Sequence, residues 1–312
     1  MAHVQPVKTQ LGPRTSANEA VAGYDLTGRT IIVTGANTGI GEPTATALAG
    51  AGARVIFACR QATSGEAAVA RARAAFPGCK AEFAQLDLAS FGSIRRFADT
   101  LRTETIDALI CNAGLSMMAW AETEEGFERT VGVCHIGHFL LARLLMPRLL
   151  AAGAPRVVMV SSLSHKSPPK LDFAQLPLTR DNFKAMTAYG QAKLCNVLLA
   201  KSLQRRYGGR GLTACALHPG TLITTDIGRN SLVVGALIKL VSPFTKNRSQ
   251  GAATSVYAAV HEPAADLAGA YLQDCRVVPC SDEANDPTVA QRLWQRSEEW
   301  VSRAGAPAWP IP

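Results

Sequence analysis

The chain has 312 residues, 47% of them apolar, and a formal net charge of +8, enough length and apolar content for one large α/β core. Its Lys and Arg residues are dispersed, with no basic block interleaved with aromatics, which argues against nucleic-acid binding and for a solvated basic surface that also favours an anionic ligand. Eight cysteines occur without a Cys-x-x-Cys pair, so a disulfide framework and a zinc site are both disfavoured.

Residues 1–27 are polar and mixed, and they predict a loose N-terminal arm that becomes helical near residues 16–22. From Gly28 the strand-like runs 30–33, 54–58, 107–111, 156–160 and 213–217 alternate with helically spaced segments at 41–50, 65–75, 90–101, 126–150, 188–207 and 248–260. Strand followed by helix, repeated, predicts right-handed crossovers and a Rossmann-type, doubly wound parallel sheet in a single α/β domain over residues 28–301, with 302–312 as a C-terminal tail. Two regions interrupt the rhythm: a Pro- and charge-containing loop between Ser164 and Ala188, and a segment at about 221–246 carrying the apolar stretch 232–241. Both follow strand ends, where open parallel sheets bind ligands, so the second is a candidate substrate lid as well as a candidate packing helix or oligomer contact. The chain opens with no charged-then-apolar leader, and no uninterrupted apolar run reaches membrane-spanning length, so a cytoplasmic location without a transmembrane segment is expected.

The first strand runs directly into Thr34-Gly35-Ala36-Asn37-Thr38-Gly39-Ile40-Gly41 and then a helix. Glycines at these places let the backbone turn sharply and approach a pyrophosphate, whose charge meets free N–H groups and the positive end of the helix dipole. The strand before and the helix after separate this dinucleotide cradle from a mere glycine-rich turn. At the end of the second strand stands Arg60, where an NAD site would carry an acid for the ribose 2′-hydroxyl. A guanidinium pairs instead with a 2′-phosphate, so NADP is expected, with NAD the second choice.

These glycines, Leu86-Asp87-Leu88, Cys111-Asn112-Ala113-Gly114 and Tyr189-x-x-x-Lys193 together resemble the short-chain dehydrogenase/reductase family. Within it, Gly137-His138-Phe139, Ala192-Lys193-Leu194-Cys195-Asn196, His218-Pro219-Gly220, Pro243-Phe244-Thr245-Lys246 and Gln250-Gly251-Ala252-Ala253-Thr254 look most like the retinol dehydrogenase and WW-domain-containing oxidoreductase branch, for its reductase part alone. Protochlorophyllide reductase is a more distant look-alike. The resemblance implies that Asp87 and Leu88 lie by the adenine, that Asn112, Ala113 and Gly114 stabilise the sheet beside the ribose, and that Pro219 and Gly220 open a loop over the nicotinamide. It further implies that Thr224 or Thr221 holds the carboxamide, and that dimers or tetramers form through the helices at 126–150 and 188–207.

Tyr189 and Lys193 are four residues apart, hence on one face of a helix, where an ammonium favours a phenolate. In this reading Tyr189 exchanges a proton with the substrate oxygen while hydride passes to or from the nicotinamide, and Ser162 hydrogen-bonds that oxygen. The resemblance selects Ser162 over Ser161 and Ser164 and adds that Lys193 binds the nicotinamide ribose. A lipophilic carbonyl or alcohol is the expected substrate, on the strength of Leu115, Met117, Met118 and the stretch 232–241. No metal is required. One position departs from the family: Cys134 stands where its members carry an asparagine that completes a proton path through a water and the lysine. A thiol is a weak hydrogen-bond partner, which leaves three readings: a relay through another group such as a water or His135, a slow enzyme, or an NADP-binding sensor or scaffold with little turnover; His135 and His138 otherwise read as packing histidines, which the resemblance also implies. A C=C reductase of a planar substrate is a further alternative.

Overall fold

The computed structural model describes residues 11–220 and 246–311. The expected lid, with Thr221, Thr224 and the stretch 232–241, lies outside the described residues but for Lys246. Seven parallel strands, β1 (Thr30–Thr34), β2 (Arg54–Cys59), β3 (Lys80–Gln85), β4 (Ala108–Cys111), β5 (Arg156–Val160), β6 (Thr213–His218) and β7 (Tyr271–Gln273), are joined by β8 (Arg276–Val277), antiparallel to β7. Their order across the sheet is β3-β2-β1-β4-β5-β6-β7-β8. This is the expected Rossmann-type α/β sheet.

Helices cover both faces. On one lie α1 (Ala17–Val21), α2 (Gly41–Gly50), α3 (Ala62–Ala75) and the helix Arg248–Val260, α7 in chain order. On the other lie α4 (Phe91–Thr100), α5 (Arg129–Leu150), α6 (Ala185–Tyr207), the short α8 (Asp282–Asn285) and α9 (Pro287–Val301). Strand periodicity assigns the side chains: Ile31, Val33, Val55, Val158 and Leu217 join the first layer, while Ile32, Ile56, Leu109, Val157 and Ala216 join the second. Burial on both faces explains why these strands read as continuous Val/Ile/Ala runs rather than as alternating ones.

Three features add to the sequence reading. The arm is docked from Leu11 onward: Arg276 donates to the Leu11 carbonyl, and α1, capped by a reciprocal Ser16–Glu19 pair, buries Ala17, Ala20 and Val21. α5 is long and apolar enough, at mean hydropathy 1.3, to cross a bilayer by length and composition, yet most of it is buried as a core helix. It also contains a π-helical segment, Gly132–Ile136, that carries Cys134 and His135.

The tail folds back over α5 and α6. Pro307 O accepts from Arg143 Nε at 2.6 Å, Pro310 O from the Tyr207 hydroxyl at 2.9 Å and Ile311 O from Arg210 at 2.7 Å. Trp309 stacks in a cluster with Trp294, Phe139 and Tyr207.

Candidate active site

The sheet changes winding direction between β1 and β4, whose carboxyl ends therefore open a crevice, the usual ligand site of such sheets. Asn112, just past β4, bridges it by donating from Nδ2 to Thr34 O at 2.8 Å and Gly35 O at 3.3 Å. Thr34 Oγ1 accepts from the N–H groups of Asn112 and Ala113, at 3.0 and 2.9 Å, and lies 2.9 Å from His138 Nε2. With its lone pairs engaged, Thr34 donates to Nε2, so His138 carries its proton on Nδ1 and donates it to Cys134 O at 3.0 Å. Burial pushes the His138 pKa down to about 4, the Lys193 charge adding to the shift and the Cys134 carbonyl opposing it. A neutral histidine thus ties β1, β4 and the π-helical turn of α5 together.

The glycine loop fits a dinucleotide. Gly35 and Gly39 sit at φ +64° and +62°, the left-handed region. A Cβ on Gly41 would lie 2.3 Å from Gly35 O and 2.4 Å from Asn112 Nδ2, so α2 can begin this close to the loop only as bare backbone. The first turn of α2 has no side-chain cap at Ile40, which leaves its N–H groups for an anion. Asn112 Oδ1 is buried without a partner in the same place. Asn37 ties the loop to α3 through Ser64 Oγ at 3.0 Å, and Thr38 is exposed beside it.

Arg60 is exposed at the end of β2, on the wall of a cavity of about 400 Å³ that Asp87, Ser90 and Arg96 also line. Asp87 is held by its N–H on Ser93 Oγ and by its carboxylate on Ala89 N–H, both at 2.9 Å. Leu88 is buried against α5, where a Cβ on Gly137 would fall 2.5 Å from its carbonyl oxygen.

At the ends of β5 and β6 the remaining groups gather. Lys193, 4% exposed, donates from Nζ to Val160 O at 3.1 Å, and its Nζ lies 5.4 Å from the centroid of the Tyr189 ring. Gly114 borders the lysine, since a Cβ there would stand 3.1 Å from Nζ. Ser161 turns inward and donates to Lys193 O at 2.7 Å, whereas Ser162 Oγ stays at the surface of the site, accepting from Ser164 N–H at 3.2 Å. The two serines thus differ: Ser161 braces α6, and the half-buried Ser162 keeps its hydroxyl at the surface of the site, held by the longer 3.3 Å bond it donates to Ser164 Oγ. Pro219 and Gly220 continue β6, and Gly220, at φ +121°, passes beneath the Lys246 side chain, which pairs with Asp274.

Cys134 is fully buried and points its thiol toward Leu115 O at 3.6 Å, on the Lys193 side of the turn. His135 faces the other way. Its Nε2 meets Ser297 Oγ of α9 at 2.8 Å, its Nδ1 has no partner, and burial lowers its pKa to about 3. A relay through His135 is therefore ruled out by direction: it is a core residue.

The residues match the family model for a short chain dehydrogenase over 29–174. The WW domain-containing oxidoreductase of Danio rerio is 40% identical over 302 residues, covering 94% of this chain and 73% of that protein. The chain belongs to the short-chain dehydrogenase family. Retinol dehydrogenase 12 of Mus musculus is 41% identical over 276 residues, covering 88% of this chain and 86% of its own. Among solved structures, an uncharacterised protein from Mycobacterium paratuberculosis superposes with a TM-score of 0.74 at 32% identity, over 92% of this chain and 97% of that one. This family member is an NAD(P)-dependent oxidoreductase; the relatives favour neither a module without turnover nor a C=C reductase.

Two neighbours of the site escaped the sequence reading. Gly190, next to Tyr189, is an interior helix glycine, and such a residue costs about 1 kcal/mol unless packing demands it, which was its one legible signal. His165 left no comparable trace.

Proposed function

We propose that this chain is an NADP-dependent oxidoreductase of a lipophilic carbonyl or alcohol, with Tyr189, Lys193 and Ser162 as its reacting set. The observation that carries the reading is the convergence of these three at the carboxyl end of β5, with Lys193 Nζ 5.4 Å from the Tyr189 ring centroid. When bound, the nicotinamide supplies or takes up hydride.

In reduction, Tyr189 gives its phenolic proton to the substrate oxygen. Ser162 Oγ accepts from Ser164 N–H and donates to Ser164 Oγ at 3.3 Å, a long bond that its hydrogen would exchange for one to that same oxygen. Lys193 Nζ lies 5.4 Å from the Tyr189 ring centroid and has N–H bonds left for a ribose hydroxyl beyond the one given to Val160 O. Gly35, Asn37, Thr38, Gly39, Ile40 and Gly41 receive the pyrophosphate, Asp87 and Leu88 the adenine side, Asn112, Ala113 and Gly114 the ribose, and Pro219 and Gly220 the nicotinamide loop, with Thr221 or Thr224 beyond it. Arg60 favours a 2′-phosphate, which supports NADP over NAD.

A lipophilic substrate is supported by Leu115, Met118 and Trp120 on the loop after β4 and by Phe183 and Met186 at the start of α6, with Trp120 and Phe183 in edge contact at 5.7 Å. Met118 and Met186 are 86% and 69% exposed, apolar surface that a substrate can cover. A homodimer or homotetramer formed through α5 and α6 would have to displace α9 and the tail, so we place any assembly on another face. A cytoplasmic, reducing setting belongs to the proposal, since Cys59, Cys111, Cys195 and Cys215 pack as small hydrophobes.

The test is NADPH consumption by the purified protein with long-chain aldehydes and ketones and, in the reverse direction, NADPH formation from NADP+ with retinol. Turnover that falls about a hundredfold or more in Tyr189→Phe agrees with the assignment. Turnover undiminished in that variant, or no substrate in the panel, overturns it.

A further inference from the structure

Ser162 ends β5 at the start of a 3-10 turn, Leu163–Lys166, and its carbonyl oxygen is gripped twice by one residue. His165 donates to it from the backbone N–H at 3.1 Å and lies against it with ring Nδ1 at 2.7 Å. The other ring nitrogen, Nε2, receives the backbone N–H of Ser281 at 3.1 Å. An amide only donates, so Nε2 is the bare nitrogen and Nδ1 carries the proton that goes to Ser162 O. The ring is fully buried and packs on Tyr271 with centroids 4.6 Å apart. The backbone turn alone already satisfies the Ser162 carbonyl; the ring adds a second bond whose direction is fixed from the far side by Ser281.

Ser281 is itself placed by the short helix α8, for which its hydroxyl accepts from Ala284 N–H. The same helix holds the loop beyond the turn, since Glu283 accepts from Leu171 N–H at 3.0 Å. Asn285 also accepts from Lys201 of α6 at 2.9 Å, so α8 joins the Ser162 turn to the helix that carries Tyr189 and Lys193.

We propose that His165 is a positioning residue for Ser162: as a neutral Nδ1–H imidazole held by Ser281 N–H, it fixes the backbone of the serine and so the direction of its hydroxyl. The inference rests on the oxidoreductase reading above. Burial also lowers the pKa of His165, in keeping with a ring that stays neutral. A misplaced hydroxyl weakens the bond to the reacting oxygen without altering the dinucleotide cradle, so the loss falls on kcat and not on NADPH affinity.

The first experiment compares His165→Leu with His165→Asn, whose amide nitrogen can stand where Nδ1 does. The expected result is a kcat lowered about tenfold in His165→Leu with KM and NADPH affinity unchanged, and largely restored in His165→Asn. A His165→Leu enzyme with unchanged kcat, or a His165→Asn enzyme no better than it, overturns the proposal. A second measurement requires neither a variant that folds nor a substrate: nitrogen-15 spectra of histidine-labelled wild-type protein, which report the tautomer of each ring. A buried Nδ1–H ring assigned to His165 at neutral pH is expected; an Nε2–H ring or an imidazolium overturns the assignment. Failure of the parent reading has a different signature, undiminished turnover in Tyr189→Phe, and leaves the tautomer result standing.

Discussion

A Cβ placed on Gly190 would fall 1.6 Å from the carbonyl oxygen of Ser167 and 2.9 Å from that of Ser164. The helix that carries Tyr189 and the turn that carries Ser162 are therefore in backbone contact, and the bare α-carbon is what lets them meet. Gly190→Ala must push the two apart. The expected cost is about 1–3 kcal/mol in urea unfolding, as for other overpacked sites, together with a kcat loss of about tenfold or more at unchanged NADPH affinity. A variant as active as the parent would mean that the loop yields without moving Ser162.

Arg60 stands exposed at the end of β2, in the run Cys59-Arg60-Gln61, where an NAD site would carry an acid for the ribose hydroxyl. A charge-assisted bond to a 2′-phosphate contributes about 1.5–3 kcal/mol, so Arg60→Asp is expected to weaken NADPH about 10- to 100-fold and to leave NADH unchanged or improved. Fluorescence titration with both nucleotides measures this. Equal losses for both would place Arg60 outside the discrimination.

Cys134 makes one weak bond, thiol to Leu115 O at 3.6 Å, on the side of α5 that faces Lys193. Asparagine is close in volume and offers a full donor and acceptor there. Cys134→Asn is expected to raise kcat about three- to tenfold with KM unchanged, as one stage of general acid catalysis improves. An unchanged kcat across the pH profile would show that proton transfer does not pass this position.

Four buried histidines, His135, His138, His165 and His218, set the acid limit of the fold. Desolvation takes His135 down to about 3 and His138 and His218 to about 4, each from an ordinary 6.5. Below pH 6.5 the unfolded chain binds protons that the folded rings refuse, so stability is full above that value and falls as pH drops toward 4. The expected loss approaches about 1 kcal/mol per ring per pH unit in that window, and the urea midpoint should fall accordingly between neutral pH and pH 5. A flat midpoint over that range would require the rings to be protonated in place.

The fold was legible, and so was the placing of Tyr189 and Lys193 on one helix, because each depends on local pattern. Burial on both faces makes β1, β2, β4, β5 and β6 largely apolar runs, whereas the edge strand β3, with Lys80, Glu82 and Gln85, shows no such run; Tyr189 with Lys193 needs only helical spacing. What was not legible comes from contacts distant in sequence. β7 has three residues, too few to show a period, and the β7–β8 turn places Asp274 and Cys275 at positive φ without a glycine to announce it. His135 reads as a packing histidine, with a relay through it as the alternative; the partner it packs on was not legible, since the π-helical turn rotates it toward Ser297, 162 residues away. The Ser162–His165–Ser281 chain has the same character, since nothing near residue 281 refers to residue 165.

The tail carries the last prediction. Trp309 fills the gap between Trp294 and Phe139, with centroids 4.7 and 5.3 Å away, and three arginine or tyrosine donors fix the carbonyls around it. This segment covers part of the outer surface of α5 and α6, so it stabilises the helices that hold Cys134, Tyr189 and Lys193. Trp309→Ala removes the ring and leaves apolar neighbours facing water; because the ring is only half-buried, the cost is expected near 2 kcal/mol, below that of a fully buried Trp. Truncation before Gly305 should cost more and create self-association, because Trp294, Phe139 and Tyr207 would then form one exposed patch. Urea unfolding and sedimentation velocity read the two effects separately. A truncated protein that stays monomeric at unchanged stability would show that α9 alone closes this face, and the tail would then be a passenger on it.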